Sequence, residues 1–289
     1  MREATMKLST WIFVLLVMPV FLLADDGYYE EIEKEIEITS EKPLTLVLDI
    51  DAGTLQAERN DKDGIVKIKM RYNNKYCSSD IDYNDHKNKL RIQLDRERWN
   101  KIHNDDHQQD AECIVYLPDN IDMMIESRLK AGEMDMVIGG LRILEFDFNM
   151  WAGEANIDFD LPNLVTMDML DIDTRVGEFN LDHLGNARFE RADINGGIGE
   201  INVDFTGDMQ NEARAKVDLD IGEATIVLPD EVGVLMSIGG TFSFMSSKNI
   251  DHELIKRGRR YYSENFDSTE NKFYIRITPG LGELNIELD

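Results

Sequence analysis

The chain has 289 residues, 57 of them acidic and 31 basic, and a formal net charge of −26. A surface that negative repels phosphate backbones and anionic lipid, which argues against a nucleic-acid binder and against docking on an acidic bilayer. It leaves room for divalent cations or basic partners.

Residues 1–24 read as a secretory leader. Arg2 and Lys7 precede the run WIFVLLVMPVFLLA at 11–24, whose 14 residues fall short of the ~20 needed to cross a bilayer. A short basic stretch, an apolar run and a small residue before a polar stretch is the pattern of a cleaved signal peptide, with Ala24 the last residue removed. The expected product is exported, periplasmic or extracellular, with no membrane span after cleavage.

From residue 25 onward apolar residues recur in period two, the mark of strands. Residues 25–130 form an N-terminal β region, with strands expected at 44–58, 64–72 and 89–95. Cys77 follows one strand-like run and Cys113 lies in another, ECIVYLP. In an exported chain the two are candidates for one disulfide, the alternative being two half-buried thiols. The polar stretch 96–111 reads as a loop. Its His103 and His107, with Asp105, Asp106 and Asp110, would converge on a metal only if the segment were helical.

Residues 131–230 carry a repeat. GEMDMV (132–137), GEANID (153–158), GEFNLD (177–182), GEINVD (199–204) and GEATIV (222–227) share one pattern, and GELNIE recurs at 282–287. The first five glycines are spaced by 21, 24, 22 and 23 residues. Such a period predicts a repeat architecture in which each unit covers its neighbour's apolar face. Numbering each copy from its glycine, positions −1, +2 and +4 are apolar in every copy and −5 in all but the first, where it is Ser127; all four are expected to point inward. The step from −1 to +2 breaks strict alternation, so Gly132, Gly153, Gly177, Gly199, Gly222 and Gly282 are assigned as structural turns. The expected fold is all-β, a single-stranded β-solenoid (β-helix-like) with rungs of about 21–24 residues. Residues 231–289 are read as its C-terminal cap. The one helix-like piece, HELIKRGRRYY (252–262), is interrupted by Gly258.

The polar columns carry what chemistry there is. Position +1 is Glu in every copy, which makes Glu154, Glu178, Glu200 and Glu223 candidate ligands of a cation row. Ca2+, which takes 6–8 oxygens, is the ion such a row would hold. The bland alternative is a solvated edge, and no calcium-loop motif is present. Identical acids on every rung single out no acid–base pair, so no catalytic residue, no cofactor and no enzyme activity are expected. The Asn column at +3 predicts side-chain amides stacked along the axis. Tyr261, Tyr262, Phe266, Phe273 and Tyr274, with Arg257, Arg259 and Arg260, either cap the stack or bind a glycan or protein.

Two resemblances accompany this reading. LDIDAGTLQAE, NKLRIQL and CIVYLPDNIDMMIESRLKAGEMDMVIGGL resemble the bacterial "putative adhesin" family of exported β-solenoid proteins. VLPDEVGVLMSIGGTFSF and RRYYSENFDSTENKFYIRITPGLGELNIEL resemble the C-terminal, toast-rack type domain of the cell-wall-active antibiotic response proteins. The resemblance implies an extracytoplasmic, non-enzymatic scaffold whose partner is an envelope protein or glycan. It also implies two alternatives, a regulatory component of an envelope stress response or, less in keeping with the residues, a carbohydrate-active β-helix enzyme.

Overall fold

The computed structural model describes residues 28–96, 111–210, 212–240 and 247–289. Residues 1–24, read above as a leader, and the His103/His107 segment lie outside the described residues. Seventeen strands belong to one large open sheet. In chain order they are β1 (Tyr29–Glu37), β2 (Leu44–Asn60), β3 (Ile65–Asn73), β4 (Cys77–Asn84), β5 (Lys89–Arg96) and β6 (Glu112–Pro118). There follow β7 (Asp122–Val137), β8 (Arg142–Asp158), β9 (Met167–Asp182), β10 (Phe189–Asp204) and β11 (Ala213–Leu228). The last six are β12 (Gly233–Ile238), β13 (Ser247–Ile250), β14 (Ile255–Arg257), β15 (Arg260–Tyr262), β16 (Lys272–Thr278) and β17 (Leu281–Leu288). Among the described residues there is no α-helix, only a 3-10 turn at Leu184–Ala187. The architecture is nearly all-β and β-solenoid-like.

The long strands β2, β7, β8, β9, β10 and β11 stack in parallel, each beside the next, and β16 and β17 continue the stack along the two halves of β11. The repeat glycines lie in one register: Gly53, Gly132, Gly153, Gly177, Gly199, Gly222 and Gly282. Gly53 is a seventh member that the motif conceals, because GTLQAE has Thr where the other copies have Glu. Every strand bends at this glycine, giving a first arm before it and a second arm after it.

Stacking order departs from chain order at both ends. β5 lies beside the first arm of β2 and β6 beside its second arm, on the side away from β7. At the other end β12 and β13 lie outside β16 and β17. The chain therefore leaves β11, lays down the outer strands, and returns to fill the position between. The final GELNIE strand is thus an internal layer and not a terminal cap. Antiparallel strands finish the edges: β4 on β5, β3 and β1 on β6, and β15 and β14 on β12. The outer strand β1, YEEIEKEIE, is densely charged, which discourages edge-to-edge pairing.

The core lies between the two arms. Position −5 (Phe148, Ile172, Ile194, Val217, Ile277), position +2 (Met134, Ala155, Phe179, Ile201, Ala224, Leu284) and position +4 (Met136, Ile157, Leu181, Val203, Ile226, Ile286) are all buried. Full burial of each larger aliphatic side chain contributes ~1.5–3 kcal/mol. Aromatic pairs brace the layers, with Phe148 and Phe179 stacked at 5.9 Å and Phe205 against Phe273 at 4.9 Å.

Position −1 does not follow the expectation. Val176, Ile198, Ile221 and Leu281 are 38–52 % exposed. The seven glycines sit at φ of +127° to +146°, a region open to glycine alone, and this turns the peptide so that the residues on both sides of the bend face outward. The stretch 252–262 also differs from its helix-like reading. It is a hairpin of β14 and β15, with Gly258 at φ +67° in the turn.

No bond joins Cys77 and Cys113, which are separate buried thiols. Cys77 sits on β4, which borders β5 on the first arm; Cys113 sits on β6, between Leu55 and Met70 on the second. Burial pushes the Cys113 thiol up to about 12, with Glu112 adding to it. Iodoacetamide in mildly alkaline buffer should leave Cys113 unmodified in the native protein and label it in denaturant; labelling of native Cys113 or a Cys77–Cys113 crosslink would contradict the assignment. The sign for stability follows. The buried neutral thiol stabilises the fold fully below the ordinary value of 9.0, and that contribution is lost as pH rises from there toward 12.

Candidate functional site

The bend presents three outward rows running along the stack. On the glycine's N-terminal side lies Ala52, Ala131, Ala152, Val176, Ile198, Ile221, Leu281. The side chains grow from methyl to branched or longer along that row, so its second half is an exposed apolar ridge. Leu219, Ile221, Pro279 and Leu281 border a shallow, open cleft at its end, floored by the glycines of three strands. Trp151, 52 % exposed, projects beside the row, and the Arg175 guanidinium lies 5.2 Å from its ring.

On the other side of the glycine runs the carboxylate row, Glu133, Glu154, Glu178, Glu200, Glu223 and Glu283, each in register with the next and each exposed. At the strand spacing of ~4.8 Å the acids form a line and not a cage. Among the described residues no group of three or more His, Cys, Asp or Glu side chains converges as a metal shell. Asn156 and Asn202 donate sideways to Glu154 (3.4 Å) and Glu200 (3.1 Å).

The third row is the amide column. Asn202 Nδ2 donates to Asn180 Oδ1 (2.9 Å), Asn180 to Asn156 (2.8 Å), and Asn156 to Asp135 (3.0 Å). Each amide hands its hydrogen bond one layer along, and the Asp135 carboxylate terminates the chain.

The return connections hold polar residues that period-two reading does not flag. Asn163 is fully buried; its Oδ1 accepts from Ile143 N (2.9 Å) and its Nδ2 donates to the carbonyls of Ile143 and Val165 (2.8 Å each). Asn186, one layer on, donates to Phe159 O and accepts from Asp208 N, both at 2.8 Å. The only sequence signal is an Asn beside Pro or Gly in DLPNL and HLGNA.

The basic–aromatic cluster divides. Phe273 is buried in the core with Phe189 and Phe205. Tyr262, Phe266 and Tyr274 pack edge to face on the outside of the first arm. Their ring faces are taken by the chain's own cations: Arg257 over Tyr262 at 5.0 Å, Lys272 over Phe266 at 4.8 Å and Arg214 over Tyr274 at 5.5 Å. A sugar stacking there would have to displace those cations.

No curated protein matches the chain. Among solved structures it is similar to a "putative cell adhesion protein" from Clostridium sporogenes, at 17% identity over 90% of this chain and 100% of that one, with a TM-score of 0.46. It is also similar to a "putative adhesin" from Bacteroides fragilis, at 11% identity over 89% and 97% with a TM-score of 0.39. A "putative lipid binding protein" from Parabacteroides distasonis matches at 11% identity over 90% and 97%, with a TM-score of 0.26. The family described as the N-terminal domain of toast_rack, DUF2154, matches residues 25–163 and 158–227. The match thus falls on the first two thirds and the repeat, and stops short of the final segment that the sequence alone aligned with a toast-rack domain. The chain belongs to the toast_rack N-terminal domain family.

Proposed function

We propose that the protein is a non-enzymatic, exported module of the bacterial envelope. In this reading the fold is a β-solenoid with turns of about 21–24 residues, and it acts by presenting its bent edge to an envelope partner. The observation that carries it is the ridge of Val176, Ile198, Ile221 and Leu281. Isolated exposed apolar residues are ordinary, but four in register on adjacent strands form one patch, and contiguous apolar patches mark contact sites. The Glu row beside it would discriminate among partners by charge. An apolar groove edged by basic groups on an envelope protein is the complement of that surface, in preference to a bare glycan. The leader at 1–24 and the family membership support export and an envelope setting. The uniformity of the Glu row supports a binding role over catalysis, since a reaction needs one acid that differs from its neighbours.

Retention of the purified protein on isolated cell envelopes tests the reading. Ile198→Ser with Ile221→Ser should lower retention about tenfold while leaving the melting temperature within a few degrees, because both side chains are already half exposed. Glu200→Gln with Glu223→Gln should blunt the salt dependence of retention. Unchanged retention in the folded ridge variant would reject the assignment.

A further inference from the structure

The outer face of the first arm carries a row of residues that changes sign partway along. Its members are in cross-strand register in this order: Glu126, Asp147, Asp171, Asp193, then Lys216, Arg276, Ser237, Arg260, Arg257. Four acids stand side by side and then four bases with one serine among them. The backbone alternation points all of them away from the core, since Phe146, Phe148, Leu170, Ile172, Ile194, Val217, Ile275 and Ile277 beside them are buried. Like charges on directly adjacent strands repel, so each half of the row is unfavourable on its own. Partial desolvation on the crowded sheet face raises the Asp171 carboxyl above its ordinary value, and the neighbouring Asp147 and Asp193 charges raise it further. Asp171, Asp193, Arg276 and Arg260 carry no ion pair among the described residues.

We infer that this face binds a second copy of the chain, antiparallel, about a two-fold axis that passes between Asp193 and Lys216. The row is self-complementary under that operation. Asp193 meets Lys216 of the other copy, Asp171 meets Arg276, Asp147 meets Ser237 and Glu126 meets Arg260. The axis lies in the face along the strand direction, so on one flank Arg191 opposes Arg214 of the other copy and on the other Asn195 opposes Asp218; the central row alone carries the charge complementarity. A self-complementary patch is what an isologous dimer requires. At ~4.8 Å per strand and three rows wide, the face offers about 700 Å² per copy, close to the ~800 Å² of a standard interface. The surface is distinct from the ridge at the bend, and the inference does not depend on the function proposed for that ridge.

Sedimentation equilibrium on the purified full chain provides the test. A dimer is expected at ~0.05 M salt and dissociation at ~1 M, where charges beyond ~3 Å are screened. Asp171→Lys alone and Arg276→Asp alone should each weaken the dimer by about tenfold or more, since each faces a like charge across the axis. The double variant Asp171→Lys with Arg276→Asp should restore it, because the exchanged pair again meets its opposite. Both positions are exposed, and circular dichroism checks that each variant folds. A monomer at low salt, a dimer indifferent to salt, or a double variant no better than the singles would overturn the assignment. So would single variants that dimerise normally while losing adhesion to a polyanion or polycation column, which would assign the charged row to another partner.

Discussion

Gly177→Ala is expected to destabilise the protein by roughly 3–5 kcal/mol, the sum of a strained backbone and a steric overlap. At φ +135° an L side chain is disfavoured, and an added Cβ would lie 1.8 Å from the carbonyl oxygen of Gly153 in the next strand. That oxygen belongs to backbone held in the ladder, so it cannot move aside as a flexible side chain would. Against a usual total stability of ~5–15 kcal/mol, the loss takes up a large share of the fold's margin. Two other glycines separate the causes. Gly258 has φ +67° and nothing within 4 Å of its would-be Cβ, so Gly258→Ala reports strain alone, ~1–2 kcal/mol. Gly239 has neither positive φ nor a close neighbour, so Gly239→Ala should fall within ~0.5 kcal/mol of the parent. Chemical denaturation of the three variants checks the ranking. A Gly177→Ala protein no less stable than Gly258→Ala would remove the overlap from the explanation.

The same glycine explains what could and could not be read in advance. Columns at −5, +2 and +4 are visible as apolar positions, save for Ser127 in the first copy, and are buried in every copy, because strand alternation alone decides their direction. Position −1 is equally apolar in the sequence and yet faces solvent. Its direction is set by a backbone angle at the following residue, and an apolar letter does not carry that angle. Residue type alone therefore places the ridge in the core, and only the bend puts it on the surface. Gly53 escapes a motif search because Thr54 breaks the Gly-Glu pair, although its register with Gly132 is the same as that of every other pair. The layer order at the ends is hidden for a different reason. Sequence separation reports chain path, whereas ladder neighbours depend on which strand edge is vacant when the chain returns. The 59 residues between Gly222 and Gly282 thus enclose the outermost layer while the two glycines remain adjacent in the stack. The charge row on the first arm draws its bases from β11, β14, β15 and β16 in an order that mixes chain positions, so no linear scan assembles it.

The two amide ladders make opposite predictions from one residue type. Asn180 lies in the outer column, where water can replace either hydrogen bond, so Asn180→Ala should cost no more than ~1 kcal/mol. Asn163 is sealed from solvent and satisfies Ile143 N, Ile143 O and Val165 O, so Asn163→Ala leaves those groups without partners in the interior. At ~1–3 kcal/mol for each buried unsatisfied group, a loss of roughly 3–5 kcal/mol is expected after partial relaxation. Neighbouring contacts raise the stakes, since Asn163 O also accepts from Arg188 Nη1 (2.9 Å) and Arg188 pairs with Asp208 on the next connection. Asn163→Asp sharpens the test. The aspartate keeps an acceptor for Ile143 N but sets a second oxygen against two carbonyls, so only its protonated form fits. Its pKa in the folded state should therefore rise above the unfolded value. By linkage this variant is most stable at low pH and loses stability as pH climbs through that raised value, the reverse of an ordinary surface carboxylate. Urea melts of Asn163→Asp across acidic to neutral pH decide the matter. A stability that does not fall with rising pH would mean that Asn163 is not the buried clamp between the connections.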